Sequence, residues 1–259
     1  MEFSELFNAF LSNWEVVILF FSVAVLYSSV GFGGGSSYLA ILALTGLSYI
    51  QFRAIALLCN IVVVSGGTYI LAKNGHYNWK KVLPLAALSV PMAFLGGYLE
   101  INQATFFIVL GLVLLIAAFS LWISKYVVHT VKESTSTRSK VVDGGIGGLI
   151  GFLSGMVGIG GGIFLAPLLH LTKWDTPIRI AATASFFILV NSVAGLLGQI
   201  QNPNFYFEPN IAFLLMVVVF IGGQIGSRLS ATKISPLVLK RITALLIAFV
   251  GLRVLFDYL

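Results

Sequence analysis

Charged residues are scarce in this sequence. Only 9% of its 259 residues are Asp, Glu, Lys or Arg, against about 25% in a typical soluble domain. Hydrophobic residues make up 58%, and the mean hydropathy is +1.00. A soluble globule has too few polar residues at this composition to cover its surface, which excludes an ordinary cytosolic enzyme, a secreted disulfide scaffold and a disordered chain. The composition predicts an integral protein of the lipid bilayer with about eight helical spans.

Other absences narrow the function. There is one cysteine, Cys59, so an intramolecular disulfide is excluded. The first five residues lack a basic n-region, and we expect no cleaved signal peptide. No Asp or Glu falls deep in an apolar run, which argues against a buried carboxylate proton relay. No metal-ligand spacing, nucleophile–base pair or nucleotide-binding motif is visible, so we expect no cofactor, no nucleic acid and no enzymatic activity.

The apolar runs predict an all-α polytopic fold. In each half, two short helices flank a glycine-rich break and three full-length spans follow. The predicted segments are 14–30, 36–47, 52–71, 82–99, 105–123, 146–157, 163–171, 178–200, 211–229 and 236–255.

The pattern repeats after about 126 residues. The motif Val-Gly-x-Gly-Gly-Gly begins at Val30 and again at Val157, and Arg53 corresponds to Arg179. A Gly-Gly pair follows in each half, at 96–97 and 222–223. Three landmarks in one order predict two repeats, 1–124 and 141–259, which are joined by a linker, 125–140, within one membrane domain.

The charges predict opposite orientations for the two repeats. If the 125–140 linker is cytoplasmic, thirteen of the fifteen basic residues face the cytoplasm and six of the nine acids face outward. This satisfies the positive-inside rule, which also explains most of the net charge of +6. Each repeat then makes an odd number of crossings, and both termini lie outside. Inverted repeats with broken helices are typical of secondary transporters.

Each glycine break predicts an anion site. Gly33, Gly34 and Gly35 lead into one short helix, and another follows the second run of three, Gly160, Gly161 and Gly162. A helix that starts inside the membrane presents unpaired N–H groups and the positive end of its dipole. Two such starts meeting near the midplane would suit a small anion with several oxygens. Packing through small residues is the alternative.

Polar residues near the breaks are candidate ligands, since each is costly to place in a membrane. Ser36 and Ser37 follow the first break, where Ser36 is alternatively the helix N-cap. Asn60 and Asn191 lie in the next helices and either face the cavity or form interhelical hydrogen bonds.

Further candidates lie at the helix ends or farther along the spans. Arg53 and Arg179 begin equivalent helices and either attract anions electrostatically or extend to lipid headgroups. Further candidates are Ser65, Thr183, Ser185, Ser192 and Gln224.

Taken together, these motifs resemble the TauE/SafE family of membrane transporters. The resemblance rests on the paired glycine motifs, the arginines about eighteen to twenty residues after them and the later Gly-Gly pairs, and it covers residues 14–257. It implies transport of small sulfur-containing anions such as sulfite, sulfoacetate or related sulfonates. The second break is followed by Ile163 and Phe164 rather than serines, which leaves polar side-chain contacts mainly to the first half.

The sequence therefore favours a multi-pass secondary transporter of the cell inner membrane, with one half rocking against the other. An inside-negative potential favours anion exit by about 2.3 kcal/mol per charge per 100 mV, which makes export the simple direction. The alternatives are a passive anion channel and a non-transporting scaffold subunit. Its 21 phenylalanines leave either lipid contact or a homodimer interface open.

Overall fold

The computed structural model describes residues 11–28, 33–45, 47–123, 139–229 and 236–259, with backbone only at 227–229 and 236–240. Most of the predicted 125–140 linker lies outside the described residues. So do residues 30–32 of the first glycine motif and the five N-terminal residues on which the signal-peptide prediction rests.

The described chain is helical, as predicted. Its ten helices are α1 (Trp14–Ser28), α2 (Gly35–Leu42), α3 (Tyr49–Lys73), α4 (Trp79–Tyr98), α5 (Gln103–Ile123), α6 (Lys140–Val157), α7 (Gly162–Leu171), α8 (Pro177–Ile200), α9 (Pro209–Leu229) and α10 (Pro236–Tyr258).

Six of these helices, α3 to α6, α8 and α9, are long and apolar enough to cross a membrane; for α9 the qualifying stretch is Pro209–Gly226. In each half a longer helix, a glycine break and a short helix precede three long helices, which is the predicted order. How the two halves are oriented relative to a membrane remains a prediction.

Helix α6 begins six residues before the predicted start at 146 and reaches 18 residues, enough to qualify as a span. The early residues looked like loop because they include Lys140 and Asp143. Ser139 caps the helix by accepting a hydrogen bond from the Val141 N–H. Asp143 is buried, and its Oδ2 accepts a hydrogen bond from Trp174 Nε1 at 3.2 Å. Asp143 can therefore lie within a buried helix because Trp174, which is distant in the sequence, donates a hydrogen bond to its carboxylate.

Helices from the two halves are interleaved. Helix α4 packs on α6 and α8, and α9 packs on α1 and α3, so exchanging the halves reproduces the same pairs. Helices α3 and α8 contact each other, as do α5 and α10.

Spaced glycines bring several of these pairs into backbone contact. On α6, Gly147, Gly151 and Gly155 lie directly against backbone carbonyls of α4. Packing through small residues, proposed above as an alternative for the glycine runs, is thus also found at glycines outside those runs.

Candidate functional site

The two glycine breaks meet at one side chain, Asn60. This residue lies in the middle of α3 and is fully buried. Its Nδ2 donates a hydrogen bond to the backbone carbonyl of Ile159, inside the second break, at 2.9 Å. A methyl group added to Gly33 or Gly35 of the first break would touch the same amide. Asn60 therefore lies between the start of α2 and the turn that precedes α7.

We call the place where Gly33–Gly35 and Gly160–Gly162 meet at Asn60 the glycine junction. It is packed too closely for side chains on its glycines. A Cβ on Gly35 would overlap both the Asn60 amide and the Ile159 carbonyl. A Cβ on Gly160 would lie 2.8 Å from Ser192 Oγ and 2.9 Å from Asn60 Nδ2. On Gly162 it would overlap Ile188. Glycine at these positions allows the two halves to approach through backbone.

The breaks differ in backbone conformation. Gly158, Gly160 and Gly161 all have positive φ, between +79° and +92°, a region that other L-residues rarely enter. In the first break Gly34 has φ −99°. Its requirement for glycine comes from packing, because a Cβ would lie 2.6 Å from the ring of Tyr38.

Both short helices begin with N–H groups that have no acceptor within the helix itself. The first intrahelical bonds run from Tyr38 N to Gly34 O and from Phe164 and Leu165 N to Gly161 O. The N–H groups before these have no acceptor within their own helix. The N-caps are Gly34 and Gly161, and neither has a side chain to cap the helix. The interpretation of Ser36 as an N-cap is therefore wrong, because α2 already begins at Gly35.

Several buried polar atoms around the junction have no hydrogen-bond partner within the described part of the chain. Asn60 Oδ1 faces the first break. Ser192 Oγ lies beside Gly160, and the Ser154 side chain lies beside Gly161. Asn191 is fully buried and donates to the Phe187 carbonyl one turn earlier, while its Oδ1 is also unpartnered. Unsatisfied groups of this kind are rare in proteins and costly.

The two serines after the first break lie within α2 and are buried. The Ser37 hydroxyl pairs with the hydroxyl of Tyr27 on α1 at 2.8 Å. Ser36 lies one residue nearer to the break.

The structure separates the two arginines from each other. Arg53 is 4% exposed, and its Nη2 donates to the Gly155 carbonyl near the end of α6 at 3.2 Å. A cation at the C-terminal end of a helix is favourable, so Arg53 stabilises the end of α6 just before the second break. Arg179 is 47% exposed, and its Nη1 lies 3.6 Å from Asp175 Oδ1 at the opposite end of the bundle. Neither Arg179 nor its ion pair reaches the junction.

A cavity of about 60 Å³ lies beside the first break. It is lined by Val64, whose methyl group would lie 3.0 Å from a Cβ on Gly33, and by Ser28 at the end of α1. Ser185 and Gln224, both sequence candidates, add a hydroxyl and an amide to its wall, and Gly66, Gly67 and Gly223 widen it. The space suits a few waters or a small ion.

Sequence reasoning missed two parts of this arrangement. Ser154 lies in a run of small residues on α6, where nothing distinguishes it from packing. The Ile159 carbonyl is a backbone group with no signal of its own, although its position inside the glycine motif already marked it as a place of irregular backbone.

Known proteins match nearly the whole length of the chain. Residues 16–254 match the family described as "Sulfite exporter TauE/SafE". The chain is 33% identical to the probable membrane transporter protein y4hK of Sinorhizobium fredii, over 93% of this chain and 97% of that protein. It is 26% identical to a probable membrane transporter protein of Methanocaldococcus jannaschii, over 93% of this chain and 94% of the relative. No solved structure matches the chain significantly.

Proposed function

The chain belongs to the sulfite exporter TauE/SafE family of membrane transporters, and from this premise we propose that it is a secondary transporter of a small sulfur-containing anion. Sulfite, sulfoacetate and related sulfonates are the proposed substrates. Export across the cytoplasmic membrane is the proposed direction, driven by the membrane potential. Alternating access around the glycine junction is the proposed mechanism.

One observation carries the proposal: both glycine breaks meet at the buried amide of Asn60, whose Nδ2 carries two N–H donors and uses one of them to bond the Ile159 carbonyl. The first N–H groups of α2 and α7, which have no intrahelical acceptor, supply donors and positive dipole ends on either side of it. An oxyanion accepts several hydrogen bonds at once, and helix starts are common anion sites. A neutral apolar substrate would leave these groups unsatisfied.

The proposed ligands divide by role. The glycines of the two breaks give the anion access to backbone N–H groups, and the amides of Asn60 and Asn191 and the hydroxyls of Ser36 and Ser37 add side-chain contacts. Arg179 lies at the end of the bundle where α3 ends, and its proposed role is to attract anions at a distance. The side chains described at the junction are uncharged amides, hydroxyls, aliphatic groups and aromatic rings, so the anion would be held by dipoles rather than by a full countercharge.

The test is transport of labelled sulfite into proteoliposomes by wild-type protein and by Asn60→Leu. Leucine keeps the shape of the side chain and removes both polar atoms. A hydrogen bond to a charged group contributes about 1.5–3 kcal/mol, so the initial rate should fall at least about tenfold. Asn74→Leu is the matched control, because Asn74 lies exposed at the far end of the same helix.

Equal rates for wild type and Asn60→Leu would overturn the proposed site. Absence of flux for sulfite, sulfoacetate and methanesulfonate in wild type would favour a scaffold subunit. Single-channel currents in planar bilayers would favour the passive channel, because they report fluxes far above the turnover of a transporter.

A further inference from the structure

A second polar cleft lies at the end of the bundle where α3 begins, away from the cavity at the first break. It is enclosed by the start of α3, the residues that follow α4 and the end of α8, and it holds about 20 Å³ of space. The polar residues that line it are Tyr49, Arg53, Glu100, Gln199, Asn202 and Asn204.

The cation in this cleft is Arg53. Its guanidinium is almost completely buried, and one nitrogen, Nη2, donates to the Gly155 carbonyl. Nε has no partner among the described residues, and the ion pairs found between described residues do not include Arg53. The nearest compensation is the ring of Phe106, 5.6 Å from Cζ. A buried charge is costly unless it is paired, so an anion that accepts a hydrogen bond from Nε would stabilise this guanidinium.

The second unusual group is Gln199 in the last turn of α8. It is 3% exposed, and neither Oε1 nor Nε2 has a hydrogen-bond partner within the described part of the chain. A buried primary amide with no bond at all costs stability. It lines the same cleft as the free Nε of Arg53.

We propose that Arg53 and Gln199 form a second anion-binding site, distinct from the glycine junction, which takes a small, singly charged oxyanion. The Nε–H of Arg53 and the Nε2–H of Gln199 donate to its oxygens. Through this contact the anion neutralises the buried guanidinium and gives Gln199 Nε2 an acceptor. The site lies on the opposite side of Asn60 along α3 from the 60 Å³ cavity, whose α3 lining runs from Val62 to Ile70.

Charge favours a monoanion over a dianion. Glu100 lines the same cleft, is exposed, and its carboxylate accepts a hydrogen bond from Asn204. With Arg53 and Glu100 both charged, a monoanion brings the cleft to a net charge of −1 and a dianion to −2, so the monoanion meets less repulsion. The cleft has room for about one water, so the anion must also move the loop side chains at its mouth. Of these, Asn202 donates to the Tyr98 carbonyl at 3.2 Å.

The experiment is equilibrium binding of radiolabelled methanesulfonate to the purified full-length protein in detergent. Wild type should bind two anions per chain. Gln199→Leu should bind one, because it removes the amide donor, and Asn60→Leu should also bind one, because it removes the junction site. Gln201→Leu is the matched control and should bind two, since Gln201 is exposed two residues farther on. Excess sulfate, a dianion, should compete poorly with methanesulfonate at the second site, which remains in Asn60→Leu.

Thermal unfolding distinguishes binding from a structural role. Without anion, Gln199→Leu should melt no lower than wild type, because the amide it removes makes no hydrogen bond. If Gln199→Leu still binds two anions per chain, the second site is overturned. The second site is also overturned if wild type binds one anion and Asn60→Leu binds none. If wild type binds one anion, which Gln199→Leu loses and Asn60→Leu keeps, the second site is supported and anion binding at the junction is overturned. Absence of binding in wild type would overturn both.

Discussion

Lys81 and Asp175 form the ion pair that joins the first half of the chain to the second at the end of the bundle where α3 ends. Lys81 Nζ lies 3.3 Å from Asp175 Oδ2 and donates to the Trp174 carbonyl at 2.6 Å. The Asp175 side chain is 4% exposed, whereas that of Lys81 is 25% exposed. Arg179 also approaches Asp175, at a longer distance and from the surface.

Replacing Lys81 by methionine should destabilise the fold, since it leaves the exposed Arg179 as the remaining ion-pair partner of the buried Asp175 carboxylate among the described residues. The cost of an unsatisfied buried group is about 1–3 kcal/mol. Arg179→Gln should cost less than about 1 kcal/mol, as exposed pairs do. Unfolding of both variants in an SDS titration measures the difference.

Adding Asp175→Asn to Lys81→Met should recover part of the loss, because the double variant buries no unpaired charge. A double variant less stable than Lys81→Met would show that the pair is not the source of the effect.

These acids also show what the sequence could not reveal at the scale of residues. The absence of acids deep in apolar runs was a correct observation, yet Asp143 and Asp175 are buried. Their burial depends on Trp174 and Lys81, which come from other parts of the chain. Asn60 was predicted as a candidate because an amide in a span is costly, but its bond to Ile159 crosses between the halves, and a linear pattern carries no such pairing.

At the scale of helices, the contact between α4 and α6 depends on glycines spaced four residues apart. A Cβ on Gly155 would overlap the carbonyl of Ala93, and one on Gly151 would overlap that of Ser89. Gly145, on the same helix, has open space around the position of its missing Cβ. One helix therefore offers a contact site and a control.

Gly155→Ala should destabilise the protein by about 1–3 kcal/mol, the usual cost of overpacking, because α4 has to move away from α6. Gly145→Ala should be neutral or slightly stabilising, since alanine favours helix. Thermal unfolding in one detergent compares them. Equal melting temperatures would mean that the two helices separate without cost.

The order of the helices was predictable because apolar length and glycine runs are local signals. Helix ends were less so, as α6 shows. The distinction between glycines that form the junction and glycines that pack helices was partly visible, since consecutive glycines break a helix whereas spaced ones do not. The positive φ of Gly160 and Gly161 was not visible, because Gly33 and Gly34 occupy the matching motif positions without a positive φ.

For the whole molecule, the orientation of the halves is the main open prediction. The distribution of basic residues places the 125–140 linker inside and the C-terminus outside. Cys59, the sole cysteine of the sequence, is fully buried, so the wild-type chain is a suitable background for labelling introduced cysteines.

A membrane-impermeant maleimide should label Leu259→Cys in intact spheroplasts, where Leu259 is 88% exposed. Ser136→Cys, in the linker, should be labelled only after permeabilisation. The wild-type chain should stay unlabelled in both conditions. Labelling of both cysteines from the same side would contradict the inverted arrangement of the repeats.

The interleaving of helices has a mechanical consequence. The two halves of the sequence are not the two bodies that would separate most easily. Close backbone contacts join α4 of the first half to α6 of the second, and α9 of the second to α1 of the first. Pulling the first repeat away from the second would open these seams. The helices also form two mixed groups, one of α4, α6 and α8 and the other of α9, α1 and α3. A motion that keeps each group intact would slide one group over the other along the contact of α3 with α8, where Asn60 lies. The two moving bodies would then each contain helices from both halves of the chain.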